Sequence, residues 1–301
     1  MRKIVFPSKA KTKQREKFVK ATLMGLGIIS ILITIGIILS LIGETFSFFK
    51  EVSIVEFLTG TQWTPLFADA HFGVLPLVAG TLLIVVFAAL ISIPIGLGAA
   101  IYLSEYAPNR VRKIIKPILE ILAGIPSIVY GYFAVTTITP ILKTIFPDIS
   151  VFNALSAGIA VGIMTIPMVC SLSEDAMMAV PDSLRQGAYG LGSTKFEVAT
   201  KIVLPASISS VAASFILAIS RAIGETMIVA MAAGSTPKLT LNPLESIQTM
   251  TGFIAQVSMG DVPYGSISHK TLYAVGTLLF IITLILNIIS KKVVKKYRRA
   301  L

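Results

Sequence analysis

Two charged residues, Arg221 and Glu225, lie in an otherwise apolar stretch of the chain. The stretch, residues 206–234, predicts a membrane-crossing helix, and a spacing of four puts both side chains on one helix face. At a rise of 1.5 Å per residue, Arg221 lies roughly 22 Å from the start of this helix, near mid-membrane. A charge at that depth costs about 2.5–3.5 kcal/mol, and such residues usually face a bundle interior or a water-filled path.

This pair predicts contact with an anion. A guanidinium group can donate two parallel hydrogen bonds to a tetrahedral oxyanion, and Glu225 can neutralise Arg221 at rest. Gly224 and Thr226 would let a ligand or another helix come close. Two interpretations remain open: a transient anion contact in a translocation path, which we favour, or a structural ion pair that pins the helix to a neighbour.

A second stretch, residues 181–205, predicts two short helices outside the membrane. Two pairs have the capping-box spacing that begins a helix, Ser183 with Gln186 and Thr194 with Glu197. Gly190 and Gly192 predict the turn between the helices. Pro205 predicts that the second helix stops near Leu204.

The first of these helices has an apolar stripe formed by Leu184, Ala188 and Leu191. A short amphipathic helix outside a membrane is suited to docking into a groove on a partner protein. The alternative is an ordinary amphipathic loop helix without a partner.

The chain lacks the motifs of an enzyme. It contains no Gly-Lys-Ser/Thr phosphate-binding loop and no Gly-x-Ser-x-Gly, so neither ATP hydrolysis nor serine-based catalysis is expected. His71 and His269 are far apart, and Cys170 is the one cysteine, so we expect no metal, cofactor or intrachain disulfide. A channel or secondary transporter working alone is a further alternative, but it would have no use for a docking helix, and no internal repeat is visible.

Composition predicts a membrane protein. Of the 301 residues 54% are hydrophobic and only 14% are charged, and the mean hydropathy is +0.85, whereas soluble domains are about 25% charged. The net charge of +11 does not predict nucleic-acid binding, because the basic residues cluster beside apolar stretches and are expected to face lipid headgroups.

We predict an all-α protein with six transmembrane helices. The expected spans are residues 21–43, 72–104, about 117–142, about 150–174, about 206–234 and about 270–290. The expected organisation is a basic tail (1–20), a first transmembrane helix (21–43), an outer segment (44–71), a core with five spans (72–290) that includes the loop 181–205, and a second basic tail (291–301).

Several local features refine these spans. A bend is expected at Pro94, Gly96 and Gly98, a helix break at Gly124 and Pro126, and close helix packing at Gly158 and Gly162. Glu120 is expected to pair with a loop Lys or Arg. We expect Trp63 and nearby Phe residues to form an interfacial layer, and residues 243–260 to form a helix lying at the membrane interface.

Positive charge predicts the orientation. Of the 26 Lys and Arg residues, Arg221 lies within a span and four lie on one side of the membrane, Lys50, Lys143, Lys238 and Lys270. All the others fall on the opposite side, together with both termini and the loop 181–205, and the positive-inside rule makes that side cytoplasmic.

The loop also resembles a named motif. Importers of the ATP-binding-cassette (ABC) class carry a cytoplasmic loop that reads E-A-A, three residues, G, nine residues, I-x-L-P. The corresponding positions are Gln186, Gly187, Ala188, Gly192, Ile202, Leu204 and Pro205, with Gln and Gly replacing the usual Glu and first Ala. The resemblance implies that these residues, with Leu184 and Leu191, dock on an ATPase subunit.

The resemblance extends over most of residues 50–290. The segments FLTGTQWTP (57–65), FGVLPLVAGTLL (72–83), AIYLSEYAP (100–108), GIPSIVYGYF (124–133) and RAIGETMIVAMAAG (221–234) are similar to phosphate ABC importer permeases of the PstC type. This resemblance implies a type I (MetI-like) permease fold in a multi-pass cell-membrane protein.

It also implies a non-catalytic role in phosphate uptake. The expected partners are an ATP-binding subunit of the PstB type, a second permease of the PstA type and a phosphate-binding protein of the PstS type. The alternatives are a permease for another oxyanion, such as molybdate or sulfate, or the PstA-type subunit itself, although FLTGTQWTP favours PstC.

Overall fold

The computed structural model describes the backbone of residues 9–298 and the side chains of residue 13 and residues 15–292. The described backbone is helical and contains no β-strand. Its α-helices are, in chain order, α1 Lys9–Phe48, α2 Ile54–Thr59, α3 Leu75–Ile101, α4 Asn109–Gly124, α5 Ser127–Phe133, α6 Thr139–Ile145, α7 Ala154–Met178, α8 Asp182–Gly190, α9 Lys195–Glu197, α10 Leu204–Ile223, α11 Met227–Ala232, α12 Met250–Met259 and α13 Ile267–Arg298. Three π-helical segments, Tyr102–Tyr106, Ala134–Ile138 and Val198–Val203, join some of these helices into longer ones.

Six helical stretches of the described chain are long and apolar enough to cross a membrane, which confirms the predicted number. They are Arg15–Phe48, Leu75–Tyr106, Ser127–Ile145, Ala154–Met178, Lys195–Ile223 and Ile267–Lys292. The first helix already begins at Lys9, so the described part of the predicted basic tail continues the first span as a helix. The remainder of that tail, residues 1–8, lies outside the described residues.

The third span begins later than predicted. The helix breaks after Gly124, where Ile125 and Pro126 are extended, as the sequence indicated. The break makes α4 a separate helix rather than the first part of the span. Glu120 lies exposed on α4 and forms no ion pair within the described residues, so the expected pairing is wrong.

The core is formed by α3, α7 and α10, and glycines let α3 and α7 approach closely. A Cβ atom on Gly158 would lie 2.6 Å from Phe87 Cβ, and one on Gly162 would lie 3.0 Å from Ile91 Cβ. A Cβ atom on Gly96 would lie 2.7 Å from Val169 Cβ. The predicted close packing at residues 158 and 162 is confirmed, and Gly96, which the sequence suggested as a bend point, is also a packing position. The helix runs through Pro94 without interruption.

The second helix of the loop does not stop near Leu204, so the end predicted from Pro205 is wrong. The helix continues from Lys195 to Ile223 because the π-helical segment Val198–Val203 shifts the hydrogen-bond register: the Leu204 N–H bonds to the carbonyl of Ala199, five residues back. A widened turn relieves the clash between a proline ring and the preceding turn.

One end of the bundle, here called the aromatic end, contains a buried aromatic cluster. Its members stack edge to face with centroid separations of 4.9–6.1 Å: Phe48, Phe49, Phe57, Trp63, Phe72 and Phe253. The expected interfacial layer is therefore wrong, since Trp63 is only 1% exposed. The expected interfacial helix 243–260 is also corrected: only α12 is helical, and most of it packs inside the protein.

The spans alternate in direction, which places both described chain ends away from the aromatic end. The α1 helix runs towards Phe48 of the aromatic cluster and pairs with α13, where the Thr45 and Thr277 hydroxyl oxygens are 2.7 Å apart. The α4 and α8 helices lie at the opposite end, here called the loop end. The described ends of α1 and α13 are thus at the loop end as well.

Candidate functional site

Arg221 lies in the last turn of α10, where the fifth span ends. The helix stops at Ile223, and after Gly224, Glu225 and Thr226 the chain resumes as α11. The sequence had predicted an unbroken helix over 206–234. The prediction that Arg221 and Glu225 lie on one face of a single helix is therefore wrong, because Glu225 lies after the end of α10. The ion pair nevertheless forms, with Arg221 Nη1 at 3.2 Å from Glu225 Oε2.

Glu225 is held by the start of α11 as well as by Arg221. Its Oε1 accepts hydrogen bonds from the backbone N–H groups of Met227 (3.1 Å) and Ile228 (3.4 Å), at the positive end of the helix dipole. Thr251 from α12 donates its hydroxyl to the Glu225 carbonyl at 2.6 Å. The carboxylate is buried, so the negative partner of Arg221 is fixed in place.

The guanidinium group of Arg221 is less constrained. Its side chain is 47% exposed, and Glu225 contacts it through Nη1 alone. Its Nη2 lies 3.8 Å from the sulfur of Met164, a weak acceptor. A hydrogen-bonding edge of the group is therefore available to an anion. No neighbouring element approaches the Cα of Gly224, since a Cβ there would meet only atoms of its own helix.

The predicted docking residues do not all share one surface. Leu184 and Leu191 are exposed, Leu191 by 90%, whereas Ala188 faces the body of the protein and is buried. Gln186, Gly187 and Gly192 are exposed, but Ile202 and Leu204 pack against the core within the fifth span, next to exposed Pro205. The stripe predicted from the sequence is therefore divided: on α8 Leu184 is exposed and Ala188 is buried, and Leu191 lies past the end of the helix.

The two predicted capping boxes have different outcomes. Thr194 and Glu197 form theirs: each side chain accepts a hydrogen bond from the backbone N–H of the other. Ser183 does not cap α8, because the helix begins at Asp182 and Pro181 is its N-cap residue. The turn between the helices is confirmed, since Gly192 has a φ of +85°, a conformation that glycine adopts readily.

The sequence did not identify Arg185 as an anchor of α8. Its guanidinium contacts Glu105 at the end of the second span, with Nη2 at 3.0 Å from Oε1, and Asp182 at 3.2 Å. It also donates to the backbone carbonyls of Val180 (2.6 Å) and Met177 (2.8 Å). Glu105 is 80 residues away in the chain, so hydropathy and helix spacing gave no signal for this pairing.

A second ionic cluster holds α4 against α7. Buried Glu174 lies 2.9 Å from Lys116 Nζ and 3.4 Å from Arg112 Nε, and Lys116 also contacts Asp175 at 2.8 Å. The hydrogen bonds that Lys116 donates to the Asp175 and Glu174 carboxylates raise the pKa of Lys116 above its usual value. The sequence did not predict this cluster, because the basic partners of Glu174 and Asp175 lie on another element.

His71 lies 3.4 Å from Asp69, and no group of three or more His, Cys, Asp or Glu side chains in the described part of the chain is arranged to hold a metal ion. Cys170 is buried among apolar side chains of the core.

Residues 92–299 match the family described as the binding-protein-dependent transport system inner membrane component. The chain belongs to this family. Relatives include the probable ABC transporter permease protein YqgH of Bacillus subtilis, 35% identical over 77% of this chain and 75% of the relative. The phosphate transport system permease protein PstC of Xylella fastidiosa (strain 9a5c) is 32% identical over 81% of this chain and 80% of the relative.

Solved structures support the same fold. A bacterial ABC transporter involved in alginate import has a chain that superposes with a TM-score of 0.64 at 15% identity, covering 94% of this chain and 98% of that one. A chain of the MetNI methionine ABC transporter, in an inward-facing conformation, gives a TM-score of 0.56 at 17% identity, covering 73% and 95%. The chain has the MetI-like fold of ABC importer permeases.

The family membership defines the role of the chain. It is a multi-pass membrane protein and a permease subunit of an ABC importer, and it is non-catalytic because a separate subunit hydrolyses ATP. Such an importer includes an ATPase, a second permease and a binding protein.

Proposed function

We propose that this permease imports inorganic phosphate, as a PstC-type subunit that forms half of the translocation path with a PstA-type partner. PstC-type names recur among its relatives, in Xylella fastidiosa and in Mesorhizobium japonicum, where the relative is 33% identical. A PstS-type protein would deliver the phosphate, and PstB-type subunits would hydrolyse ATP.

The observation that carries the proposal is the half-exposed guanidinium of Arg221 beside a fixed, buried carboxylate. Phosphate carries one to two negative charges near neutral pH, and a fixed cation lowers the barrier to its passage through an apolar region. Because Glu225 is held by α11, it competes for Arg221 without leaving the site, so the anion is held weakly enough to move on. Conduction requires binding that is strong enough for entry and weak enough for release.

The loop end is proposed to face the cytoplasm, with both termini. Basic residues concentrate at this end, as the positive-inside rule requires. Exposed Leu184 on α8, and exposed Leu191 directly after it, would then be presented to the ATPase subunit. The partly buried Ile202 and Leu204 would support this segment from within the fifth span rather than contact the ATPase.

Arg221→Gln tests the proposed role in transport. We expect uptake of labelled phosphate to be abolished or sharply reduced in a strain lacking other phosphate importers, while the complex still assembles and co-purifies. Arg221→Lys should recover only part of the uptake, since a point charge lacks the two-pronged geometry of a guanidinium. Glu225→Gln should slow uptake, because the anion would be held too tightly.

Two results would contradict this role. If Arg221→Gln assembles and transports phosphate at the normal rate, the pair is structural and the anion passes elsewhere. If Arg221→Gln fails to assemble while Arg221→Lys assembles and transports normally, a single positive charge suffices and the pair serves to pin α10 to α11.

A further inference from the structure

The docking segment α8 is joined to the spans by a buried ionic contact that the transport role does not by itself explain. All three guanidinium nitrogens of Arg185 have acceptors: Nε and Nη2 bond to Glu105, Nη1 to Val180 and Asp182, and Nη2 also to Met177. Glu105 is almost fully buried. A surface helix that needed only to stay folded would not require a buried carboxylate from another element.

The acceptors of Arg185 belong to two different spans. Glu105 ends the second span, and Met177 lies in the last turn of α7, the fourth span. Arg112 of α4 reaches the same region, because its Nη2 donates to the carbonyls of Leu103 (2.6 Å) and Ser104 (3.1 Å). Arg112, which also contacts Glu174, therefore connects the Arg185–Glu105 pair to the cluster around Glu174. Together these contacts, here called the ionic layer, tie α8, α4 and the ends of two spans together.

This layer continues physically to the site around Arg221. The α4 helix is followed, after Pro126, by α5, and Gly131 of α5 packs so tightly on α11 that a Cβ there would lie 3.2 Å from Ile228 Cα. Ile228 is one of the residues whose N–H groups hold Glu225, the partner of Arg221. The connection from α4 to the helix break thus runs through α5, and it includes the two non-helical residues Ile125 and Pro126.

We propose that Arg185, through Glu105, is the positioning residue that makes the spans follow the movement of the docking segment. The inference rests on the proposed docking of α8 to the ATPase, but not on phosphate as the substrate. Arg185 touches neither substrate nor nucleotide in this scheme. Its function is to convert a displacement of α8 into a displacement of α7 and the second span.

The test uses the purified complex of the chain with its ATPase and partner permease, reconstituted in lipid vesicles. The reporter is Leu217→Cys, which lies one helical turn before Arg221 on an exposed face of α10, whereas native Cys170 is buried. The rate of labelling by a maleimide is measured without nucleotide and with ATP and vanadate. We expect a several-fold change of rate in the parent, and loss of that change in Arg185→Gln and in Glu105→Gln.

Three comparisons make the result specific to this pair. Arg110→Gln removes an exposed arginine at the same end and should leave the nucleotide-dependent change intact. Arg185→Lys keeps the positive charge but lacks the planar guanidinium with its several donors, so it should retain part of the nucleotide-dependent change in labelling rate. Leu191→Asp should instead remove the ATPase from the complex, which separates a failure of docking from a failure of transmission.

The proposal is wrong if Arg185→Gln retains the full nucleotide-dependent change at Leu217→Cys. It is also wrong if Arg185→Gln loses the ATPase from the complex, because Arg185 would then hold the assembly rather than position the spans. If Arg110→Gln also loses the nucleotide-dependent change in labelling rate, the effect is a general one of charge at the loop end, and this result would overturn the proposal too.

Discussion

Replacing Gly96 by alanine tests the packing of α3 on α7, on which the whole core depends. The new Cβ would lie 2.7 Å from Val169 Cβ and 3.2 Å from the Ile166 carbonyl oxygen. Since carbon atoms in contact are about 3.5–4.0 Å apart, the helices must separate by roughly 1 Å. Overpacking of this kind costs about 1–3 kcal/mol.

Gly98→Ala is the matched control, because it lies on the same helix and a Cβ there has no atom within 4 Å. This variant should be neutral or more stable, since alanine favours a helix by about 0.5–1 kcal/mol over glycine. The assay is thermal unfolding of the purified protein in detergent, followed by tryptophan fluorescence, because Trp63 is the single tryptophan and is buried. Equal unfolding temperatures for the two variants would refute the account of α3–α7 packing.

Three further predictions concern the two ends of the bundle. The double variant Leu191→Asp, Gly192→Trp should still insert into the membrane, but ATP hydrolysis should no longer be coupled to transport. The turn needs an unhindered backbone, and the docking surface needs apolar contact. Co-purification of the ATPase at the normal yield would contradict this. Cysteines introduced at Leu191 and at Tyr264, which is 84% exposed, should be labelled from opposite sides of the membrane, and labelling of both from one side would overturn the topology. Hydrogen bonds from Lys238 and the neighbouring Asn242 lower the pKa of Glu245. The stability that these bonds give to the segment 235–249 is therefore present above the usual carboxyl pKa, and it is lost as the pH falls through the lowered value. We expect faster proteolysis of this segment in acid, and no such acceleration in Glu245→Gln; identical pH profiles for the two proteins would contradict this.

The sequence predicted the architecture because membrane helices leave a strong signal. Six long apolar stretches are visible without any knowledge of tertiary contacts, and Gly158 with Gly162 marked a packing face directly. The break at Gly124 and Pro126 was also visible, because both residues disfavour a continuing helix. What these local signals could not show was that α4 becomes a separate helix, since that depends on its contacts with α7.

The site was predicted only in part, because its geometry depends on long-range contacts. The Arg221–Glu225 pair was recognised, but the helix break between the two residues was not, since the surrounding residues remain apolar. The burial of Trp63 was missed because aromatic residues favour both membrane interfaces and packed cores. The π-helical segment before Pro205 compensates for a helix-breaking residue in a way that no propensity scale records.

Uptake by the reconstituted complex tests the central claim most directly. The chain would be purified with its ATPase, its partner permease and its binding protein, placed in vesicles with ATP, and supplied with labelled phosphate alone or with an excess of sulfate or molybdate. Our account predicts ATP-dependent accumulation of phosphate that sulfate and molybdate do not reduce. Absence of phosphate accumulation, with accumulation of labelled sulfate or molybdate by the same vesicles, would contradict it.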